Sequence, residues 1–434
     1  MTVVMLDIAP LRAWTLARRH SAARLLQRHR DGVWLVSAGI SPILAFVASM
    51  GFAATVALAG LLYAPFLLRQ RRMSPGFAML GVLLIWGLIT YSWSPALPLH
   101  ADFSKYKQVE SITGLKLVFE FALYGTFFLG ATRITPKNGR RGLTLFGVLT
   151  LAIAAVAFTD ALDGGRVYVG LRELFHQRIR SDLELRDLDR VSYPLAVWAA
   201  PLTLAMTRSR WPRLAPVLAV AIFLACLALG KDATVAALIA ALAAYLLVRY
   251  GGKKAIWACM GACVLYFTLA PLAVALVLDH VHLAANGAQQ VGKVSWAARL
   301  DIWRLTEQLV EQKPFTGWGL DAARTIQGIP LHPHNAALQI WLELGLPGAT
   351  IAAMLFTWIF YGIGELQTED AEMAGAAAGA VAAYLVIGAL SFGVWQEWWL
   401  GLGALTAGMI AVDAVARVNE RAHAVKDDLL PLLD

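Results

Sequence analysis

Residues 332–348 read HPHNAALQIWLELGLPG. The hydrophilic segment 279–333 ends here, and an apolar run begins near residue 346, so the two histidines lie at a boundary between polar and apolar sequence. Glycine and proline both interrupt regular helices. The Gly-Leu-Pro-Gly end of the stretch therefore predicts a kink or break where the chain enters a membrane. Close packing between helices would use the same glycines equally well.

The composition on both sides of this stretch is that of a polytopic membrane protein. The chain has 434 residues, of which 59% are hydrophobic and 15% are charged, whereas about half and about a quarter are usual in soluble domains. The chain contains apolar runs of about 20 residues, and such runs predict an all-α integral membrane protein with about twelve transmembrane helices. The twelve runs are 33–50, 51–68, 75–93, 112–132, 142–160, 191–207, 214–230, 233–249, 255–278, 346–363, 371–392 and 395–414.

The charged residues predict the orientation of these spans. The net charge is +8, but the basic residues form short clusters between apolar runs, which is the pattern of topology signals and argues against nucleic acid as a partner. With residues 1–32 as a cytoplasmic basic arm, which could also lie on anionic membrane lipid, the basic loops and the tail 415–434 all fall inside. Segments 161–190 and 279–345 then face the periplasm.

These boundaries divide the chain into five parts. Transmembrane helices 1–9 occupy 33–278 and helices 10–12 occupy 346–414, with the large periplasmic loop 279–345 between them and the two cytoplasmic termini outside. The three cysteines all lie in apolar runs, so we predict buried thiols and no disulfide framework.

His334 is the first candidate for chemistry, because neutral imidazole can accept a proton near pH 7. Asn335 could orient the ring or a substrate; an ordinary interfacial histidine that caps a helix is the alternative. Arg190 and Arg299 also lie in the predicted periplasmic segments. Either arginine could equally be an interface anchor or stack on an aromatic ring, as Arg299 could on Trp303 one helical turn later.

Two His-x-His pairs, His280/His282 and His332/His334, raise the possibility of a zinc site. No HExxH-like or cysteine partner accompanies them, so we predict no metal. The sequence also contains no Walker loop, no Rossmann glycine motif in a strand–helix context and no GxSxG elbow.

Three motifs, together with about twelve spans, give the chain a resemblance to the O-antigen ligase (WaaL-like) superfamily. The motifs are Arg299-x-x-x-Trp303, the string PFTGWG at 314–319, and His334-Asn335-x9-Gly345-x-x-Gly348. They cover about 295–350 of the chain, and the predicted topology extends the resemblance further. One position departs from the family pattern, because Gly230-Lys231-Asp232 stands where members often carry a Ser-Arg pair. Lys231 is the candidate cation there.

The resemblance implies a glycosyltransferase of the GT-C type in the bacterial inner membrane. Such an enzyme transfers a glycan from undecaprenyl diphosphate to lipid A–core oligosaccharide at the periplasmic face, with inversion and without metal, ATP or cofactor. Arg190 and Arg299 would bind the diphosphate and His334 would be the general base. The supporting residues would be Asn335, Trp303, Gly345, Gly348 and Lys231.

Other functions remain open at this point. An O-antigen polymerase or a protein O-oligosaccharyltransferase would use the same donor. From a different class, a twelve-span transporter or lipid-linked sugar flippase would have a similar composition, and it would be expected to carry ionisable residues within its spans. Lys116 and Glu120, four residues apart, are the clearest such residues, and we interpret them as a structural pair.

Overall fold

The computed structural model describes residues 9–48, 51–67, 74–97, 112–174, 187–283 and 294–429. Within these ranges, side chains are described except at 9–23, 66–67, 280–295 and 422–429. All regular secondary structure in this part of the chain is helical. The prediction of an all-α fold is therefore confirmed.

The helices follow the apolar runs closely. They are α1 (Ala9–Val47), α2 (Phe52–Leu67), α3 (Pro75–Tyr91), α4 (Thr113–Ala131), α5 (Pro136–Leu162), α6 (Arg166–Leu174), α7 (Ser192–Thr207), α8 (Leu214–Ala228), α9 (Asp232–Thr268), α10 (Ala270–Leu283), α11 (Val294–Gln312), α12 (Ala336–Glu369), α13 (Ala371–Leu390) and α14 (Glu397–Leu429). Two short 3-10 helices, Asp189–Val191 and Ala322–Thr325, complete the regular structure of the described residues.

Seven helices in the described ranges are long and apolar enough to cross a membrane. The chain is thus an all-α membrane protein, and the count of twelve spans stays a prediction. All twelve apolar runs overlap helices, but several of these helices are short, such as α2, α3 and α8. One run, 233–249, lies wholly in α9 and the next, 255–278, lies partly in it, and the non-helical backbone of Gly252 interrupts the helix between them. The predicted periplasmic segment 161–190 contains α6, and its residues 175–186 lie outside the described chain.

Small residues let the helices approach one another closely, as is usual in membrane proteins. A Cβ atom added to Gly60 of α2 would lie 1.9 Å from the carbonyl oxygen of Leu123 in α4. In the same way, a Cβ atom on Gly379 of α13 would lie 2.9 Å from the Ala241 carbonyl oxygen in α9. Backbone-to-backbone contact at these crossings fixes the relative positions of the helices that carry the polar residues.

A buried ionic network, which we call the arginine–aspartate cluster, joins the ends of α5, α7, α12 and α13 to the middle of α14. It consists of Arg140, Arg208, Asp370 and Asp413. Arg208 Nη2 lies 2.8 Å from both carboxylate oxygens of Asp370, and its Nη1 lies 3.1 Å from Asp413. Arg140 also pairs with Asp413. Paired charges of this kind are tolerated in a low-dielectric interior because each has a partner.

The cluster lies at one end of helices whose other ends carry the histidine stretch. Arg208 follows the last residue of α7, and Asp370 separates α12 from α13. His334 and Asn335 immediately precede α12, whereas Ser391 immediately follows α13. The two polar regions are thus separated by the length of these helices.

Candidate active site

His334 is held in an unusual backbone conformation beside the end of α13. Its φ angle is +58°, a left-handed value that residues other than glycine rarely adopt. Its Nδ1 atom lies 2.8 Å from the carbonyl oxygen of Ser391. A carbonyl oxygen only accepts hydrogen bonds, so Nδ1 carries the proton and, in the neutral ring, the lone pair is on Nε2. This is the tautomer in which Nε2 can act as a base.

His332 is placed differently, although the two rings are neighbours with centroids 4.4 Å apart. It is buried, with 7% of its surface exposed. Its Nδ1 accepts a hydrogen bond from the His334 main-chain N–H, and its Nε2 lies 3.1 Å from the Gln396 side-chain amide. Burial and the nearby charges of His334, Arg324 and Arg299 lower the pKa of His332 to about 3. His332 is therefore a neutral, structural ring at physiological pH.

The helix that follows the histidines contains the break that the sequence predicts. Gly345 has φ +64° and ψ −166° inside α12, a combination that is essentially restricted to glycine. A break of this kind releases main-chain carbonyls that an uninterrupted helix would bond. Those of Leu342, Glu343 and Leu344 accept hydrogen bonds from Trp318 N, Gly319 N and the Trp86 indole at 2.7–2.9 Å.

The PFTGWG string thus docks directly on the broken helix. Besides the bonds from Trp318 and Gly319, Leu346 N donates to the Pro314 carbonyl oxygen at 2.8 Å. A Cβ atom on Gly317 would lie 2.4 Å from the Glu343 carbonyl oxygen, so only glycine permits this approach. Two motifs that are separate in sequence therefore form one unit at the break in the helix that follows His334. The helix also begins earlier than predicted, at Ala336, with the break rather than the start at Gly345.

Sequence analysis missed one element of the site, the loop Ser391–Gln396 between α13 and α14, which we call the 391–396 loop. Four of its residues contact the histidine stretch or α12 through hydrogen bonds. They are Ser391 O with His334, Val394 N with Gln339, Trp395 Nε1 with Glu343, and Gln396 Nε2 with His332. One of these contacts uses only a main-chain carbonyl, so no side-chain pattern indicated it.

Arg299 is connected to the histidine stretch through its own helix. It lies on α11, half-buried, with its guanidinium carbon 5.0 Å from the centre of the Trp296 ring. One turn later, Trp303 donates from its indole to the carbonyl oxygen of Pro333 at 2.9 Å. Burial lowers the pKa of Arg299 while Tyr193 and Asp232 oppose that effect. The predicted cation–π contact of Arg299 is thus with Trp296, and Trp303 instead anchors the histidine stretch.

Arg190 lies in the 3-10 helix that precedes α7 and pairs with Asp187 at 3.2 Å, with 39% of its side chain exposed. Its neighbour Asp189 is joined to Lys231 by an ion pair of 2.7 Å. Asp232, the next residue, accepts a hydrogen bond from the Trp296 indole at 3.2 Å. Lys231-Asp232 at the start of α9 therefore joins the segment that carries Arg190 to the helix that carries Arg299.

The remaining predicted residues have structural contacts. Asn335 caps α12, because its side-chain oxygen accepts a hydrogen bond from Leu338 N at 3.0 Å. Gly348 lies inside α12, where a Cβ atom would press on Leu344. Lys116 and Glu120 do not pair as predicted, since Lys116 forms its ion pair with Glu397 of α14 at 3.2 Å. That interpretation was wrong because α14 brings a competing carboxylate to the same helix face.

Among the residues whose side chains are described, the structure shows no cluster of metal-ligating side chains. No group of three or more His, Cys, Asp or Glu residues there could hold an ion. The side chains of His280 and His282 lie outside that part of the chain.

Comparison with known proteins shows a similarity over part of the chain. Residues 217–353 match the family model described as O-antigen ligase. A Rickettsia conorii protein named "Putative polysaccharide ligase" is 32% identical over 124 residues, which are 25% of this chain and 30% of that protein. A Rickettsia felis protein of the same name is 30% identical over 124 residues, again 25% of this chain and 30% of the relative. The chain thus spans about 30% of the length of these curated relatives. The matched segment contains Lys231, Arg299, the docked loop and the histidine stretch, so this part of the chain is similar to the O-antigen ligase family.

Proposed function

We propose that the protein is an O-antigen ligase that transfers polysaccharide from undecaprenyl diphosphate to lipid A–core oligosaccharide. The observation that carries this proposal is the geometry of His334. Its Nδ1–H is directed at the Ser391 carbonyl oxygen, 2.8 Å away, so Nε2 bears the basic lone pair. A base fixed in this tautomer, in a stretch that Trp303 ties to the helix of Arg299, suits transfer to a sugar hydroxyl.

The proposed reaction is a single displacement at the anomeric carbon. The acceptor oxygen forms a bond to that carbon while its proton passes to His334 Nε2. The bond between the anomeric carbon and the diphosphate oxygen breaks, and undecaprenyl diphosphate leaves with the electron pair. Attack from the face opposite the leaving group inverts the configuration. The donor is already activated, so the reaction needs no ATP, metal or cofactor.

Arg190 and Arg299 are the proposed ligands of the leaving diphosphate. A guanidinium is permanently charged and offers two parallel N–H donors to phosphate oxygens. Preorganised charge of this kind is often the largest catalytic contribution. Arg190 directly follows Asp189, which pairs with Lys231, and Arg299 lies one helical turn after Trp296, which bonds Asp232. This connection supports their acting on one ligand.

We further propose a GT-C-type arrangement of twelve spans in the bacterial inner membrane, with both termini cytoplasmic and the histidine stretch periplasmic. The separation of His334 and the arginine–aspartate cluster by whole helices supports this orientation. The cluster lies at the end that carries the basic connecting segments, including Arg210 and Arg213, and such segments favour the cytoplasm.

The decisive experiment measures release of undecaprenyl diphosphate by purified protein with lipid-linked O-polysaccharide as donor and lipid A–core as acceptor. Loss of a general base typically costs about 10²–10⁴-fold, and we expect His334→Ala to lower transfer by that amount. His29→Ala changes an exposed histidine of α1 and is the matched control. Normal transfer by a stably inserted His334→Ala protein would contradict the assigned role.

The same assay separates the competing functions when acceptors are offered in parallel. A polymerase would elongate a second lipid-linked glycan, and a protein O-oligosaccharyltransferase would modify a serine- or threonine-containing peptide. A transporter or flippase would transfer nothing. A deletion strain adds a cellular measurement, because loss of a ligase leaves bare lipid A–core while long-chain glycan accumulates on its lipid carrier.

A further inference from the structure

Glu343 is a carboxylate buried completely inside α12, and the proposed chemistry does not use it. None of its surface is exposed. Its Oε2 atom accepts hydrogen bonds from Asp321 N at 2.8 Å and from the Trp395 indole at 2.5 Å, and its Oε1 accepts one from Gln339 Nε2 at 3.0 Å. A buried carboxylate with three donors directed at it is a strong local anchor.

Gln339, one turn earlier in α12, has a defined amide orientation because of its two neighbours. Its Oε1 atom accepts a hydrogen bond from Val394 N at 2.9 Å, and its Nε2 donates to Glu343. A main-chain N–H can only donate, so the amide oxygen must face Val394 and the NH₂ group must face Glu343. Gln339 itself is 3% exposed.

Gln339 and Glu343 both hold the 391–396 loop. Gln339 binds Val394 and Glu343 binds Trp395, so two consecutive residues of the 391–396 loop are fixed to α12. The first residue of that loop, Ser391, provides the carbonyl oxygen that accepts from His334 Nδ1. Displacing the loop would therefore remove the contact that sets the tautomer of His334.

We propose that Gln339 and Glu343 are positioning residues for catalysis, which hold the 391–396 loop so that the Ser391 carbonyl orients His334. This inference rests on the proposed function, because it assumes that His334 is the base. Neither side chain needs to touch a substrate. The pair acts through the loop, and its effect is on the rate of transfer rather than on binding of the donor.

The substitution Glu343→Gln tests the hydrogen-bond directions. The new side-chain oxygen can still accept from Asp321 and Trp395, but the new NH₂ group then faces the NH₂ group of Gln339. Turning Gln339 over would only move the conflict to Val394 N, so one donor–donor contact is unavoidable. A displacement of about 1 Å can cost on the order of 10²-fold in rate. We expect kcat to fall by about that factor, with KM for lipid-linked O-polysaccharide unchanged.

The exchange variant Gln339→Glu/Glu343→Gln restores every hydrogen bond with the same total charge. The glutamate at 339 accepts from Val394 N and from the glutamine at 343, whose oxygen accepts from Asp321 and Trp395. We expect kcat to recover most of the loss. If Glu343 instead transferred protons itself, the exchange would not help. An exchange variant as slow as Glu343→Gln would overturn the proposal, as would a Glu343→Gln enzyme with normal kcat.

Two further variants distinguish failure of the positioning role from a folding defect and from failure of the proposed function. Trp395→Phe removes one loop anchor without changing charge, and we expect it to lower kcat and to alter the acidic limb of the pH–rate profile. An unchanged profile and kcat would contradict the proposal. Gln308→Glu, exposed on α11, is the control for the introduced charge. An active His334→Ala enzyme would reject the proposed function, whereas failure of the exchange alone would reject only the positioning role.

Discussion

At the scale of the residue, the sequence predicted which histidine to consider but not what holds it. The spacing from His334-Asn335 to Gly345 indicated the stretch, and the family resemblance favoured His334 over His332. The structure adds the Ser391 contact, 57 positions along the chain. Because that contact uses a main-chain carbonyl, no residue type at 391 could have indicated it. Asn335 was assigned a supporting role, and its observed contact is the cap of α12.

His332 makes a pH-dependent contribution to stability. Its folded pKa of about 3 lies below the ordinary value of 6.5, so the unfolded chain takes up a proton first as the pH falls. The stabilising contribution is complete above pH 6.5 and is lost progressively towards pH 3. The loss is at most about 1.4 kcal/mol for each pH unit in that window. We expect the unfolding midpoint to fall less between pH 7.5 and 5 in His332→Gln than in the unmodified protein, as measured by thermal denaturation in detergent. Equal slopes would contradict this assignment.

Arg299 tests whether guanidinium geometry matters or only positive charge. Lysine keeps the charge but cannot form two parallel bonds to a phosphate. We therefore expect Arg299→Lys to lower transfer by at least about tenfold, which is about 1.4 kcal/mol of transition-state stabilisation. Arg304→Lys on the same helix is the matched control, and the measurement is the rate of undecaprenyl diphosphate release. Near-normal activity of Arg299→Lys would leave only a diffuse requirement for charge.

At the scale of the element, α12 shows which parts of a membrane helix can be predicted. Glycine and proline in GLPG correctly indicated a break, because both residues weaken a helix locally. They could not indicate that the helix resumes on both sides, since this depends on outside donors. Trp86 and the loop at 314–319 supply those donors from distant positions. The ion pair of Lys231 could not be predicted from the sequence either, since its partner Asp189 belongs to another element.

Two glycines of α12 provide a paired test of the break. Gly345 has a positive φ, and a Cβ atom there would lie 2.4 Å from the Phe315 carbonyl oxygen, whereas a Cβ atom at Gly362 would meet nothing within 4 Å. Backbone strain alone costs about 1–3 kcal/mol. We expect Gly345→Ala to lower the thermal midpoint and abolish transfer, while Gly362→Ala, at an ordinary helical position, is neutral or slightly stabilising. Equal behaviour of the two variants would contradict the assigned strain.

At the scale of the whole molecule, composition and charge predicted a helical membrane protein, and the described helices confirm that class. The number of spans is harder to predict from the sequence, because helices such as α3 and α8 are shorter than a bilayer usually requires. The sequence also could not predict which polar side chains inside the helix bundle pair with each other. Lys116 was matched to the nearest carboxylate along its helix, while the fold brings Glu397 to it instead.

Cysteine labelling would test the proposed orientation. The native Cys226 and Cys263 are buried, whereas Cys259 is only partly buried, contrary to the prediction of three buried thiols. A Cys259→Ala protein is therefore the low-background parent and control. Leu331 is 63% exposed beside the histidines, and Trp211 is 42% exposed in the connection after the arginine–aspartate cluster. We expect a membrane-impermeant maleimide applied from the periplasm to label Leu331→Cys at once and Trp211→Cys only after lysis. Labelling of both from one side would reject the orientation.

The separation of the histidine stretch from the arginine–aspartate cluster has a genetic consequence. Because α7, α12 and α13 run between the two regions, inactive alleles will arise at both, far apart in space but identical in phenotype. Alleles at Arg208 or Asp370 disturb an ion pair, so a second substitution that restores opposite charges can suppress them within the same gene. Alleles at His334 remove the proposed base, and no compensating charge elsewhere replaces it. Suppressor analysis would thus sort architectural alleles from chemical ones without any assay of transfer.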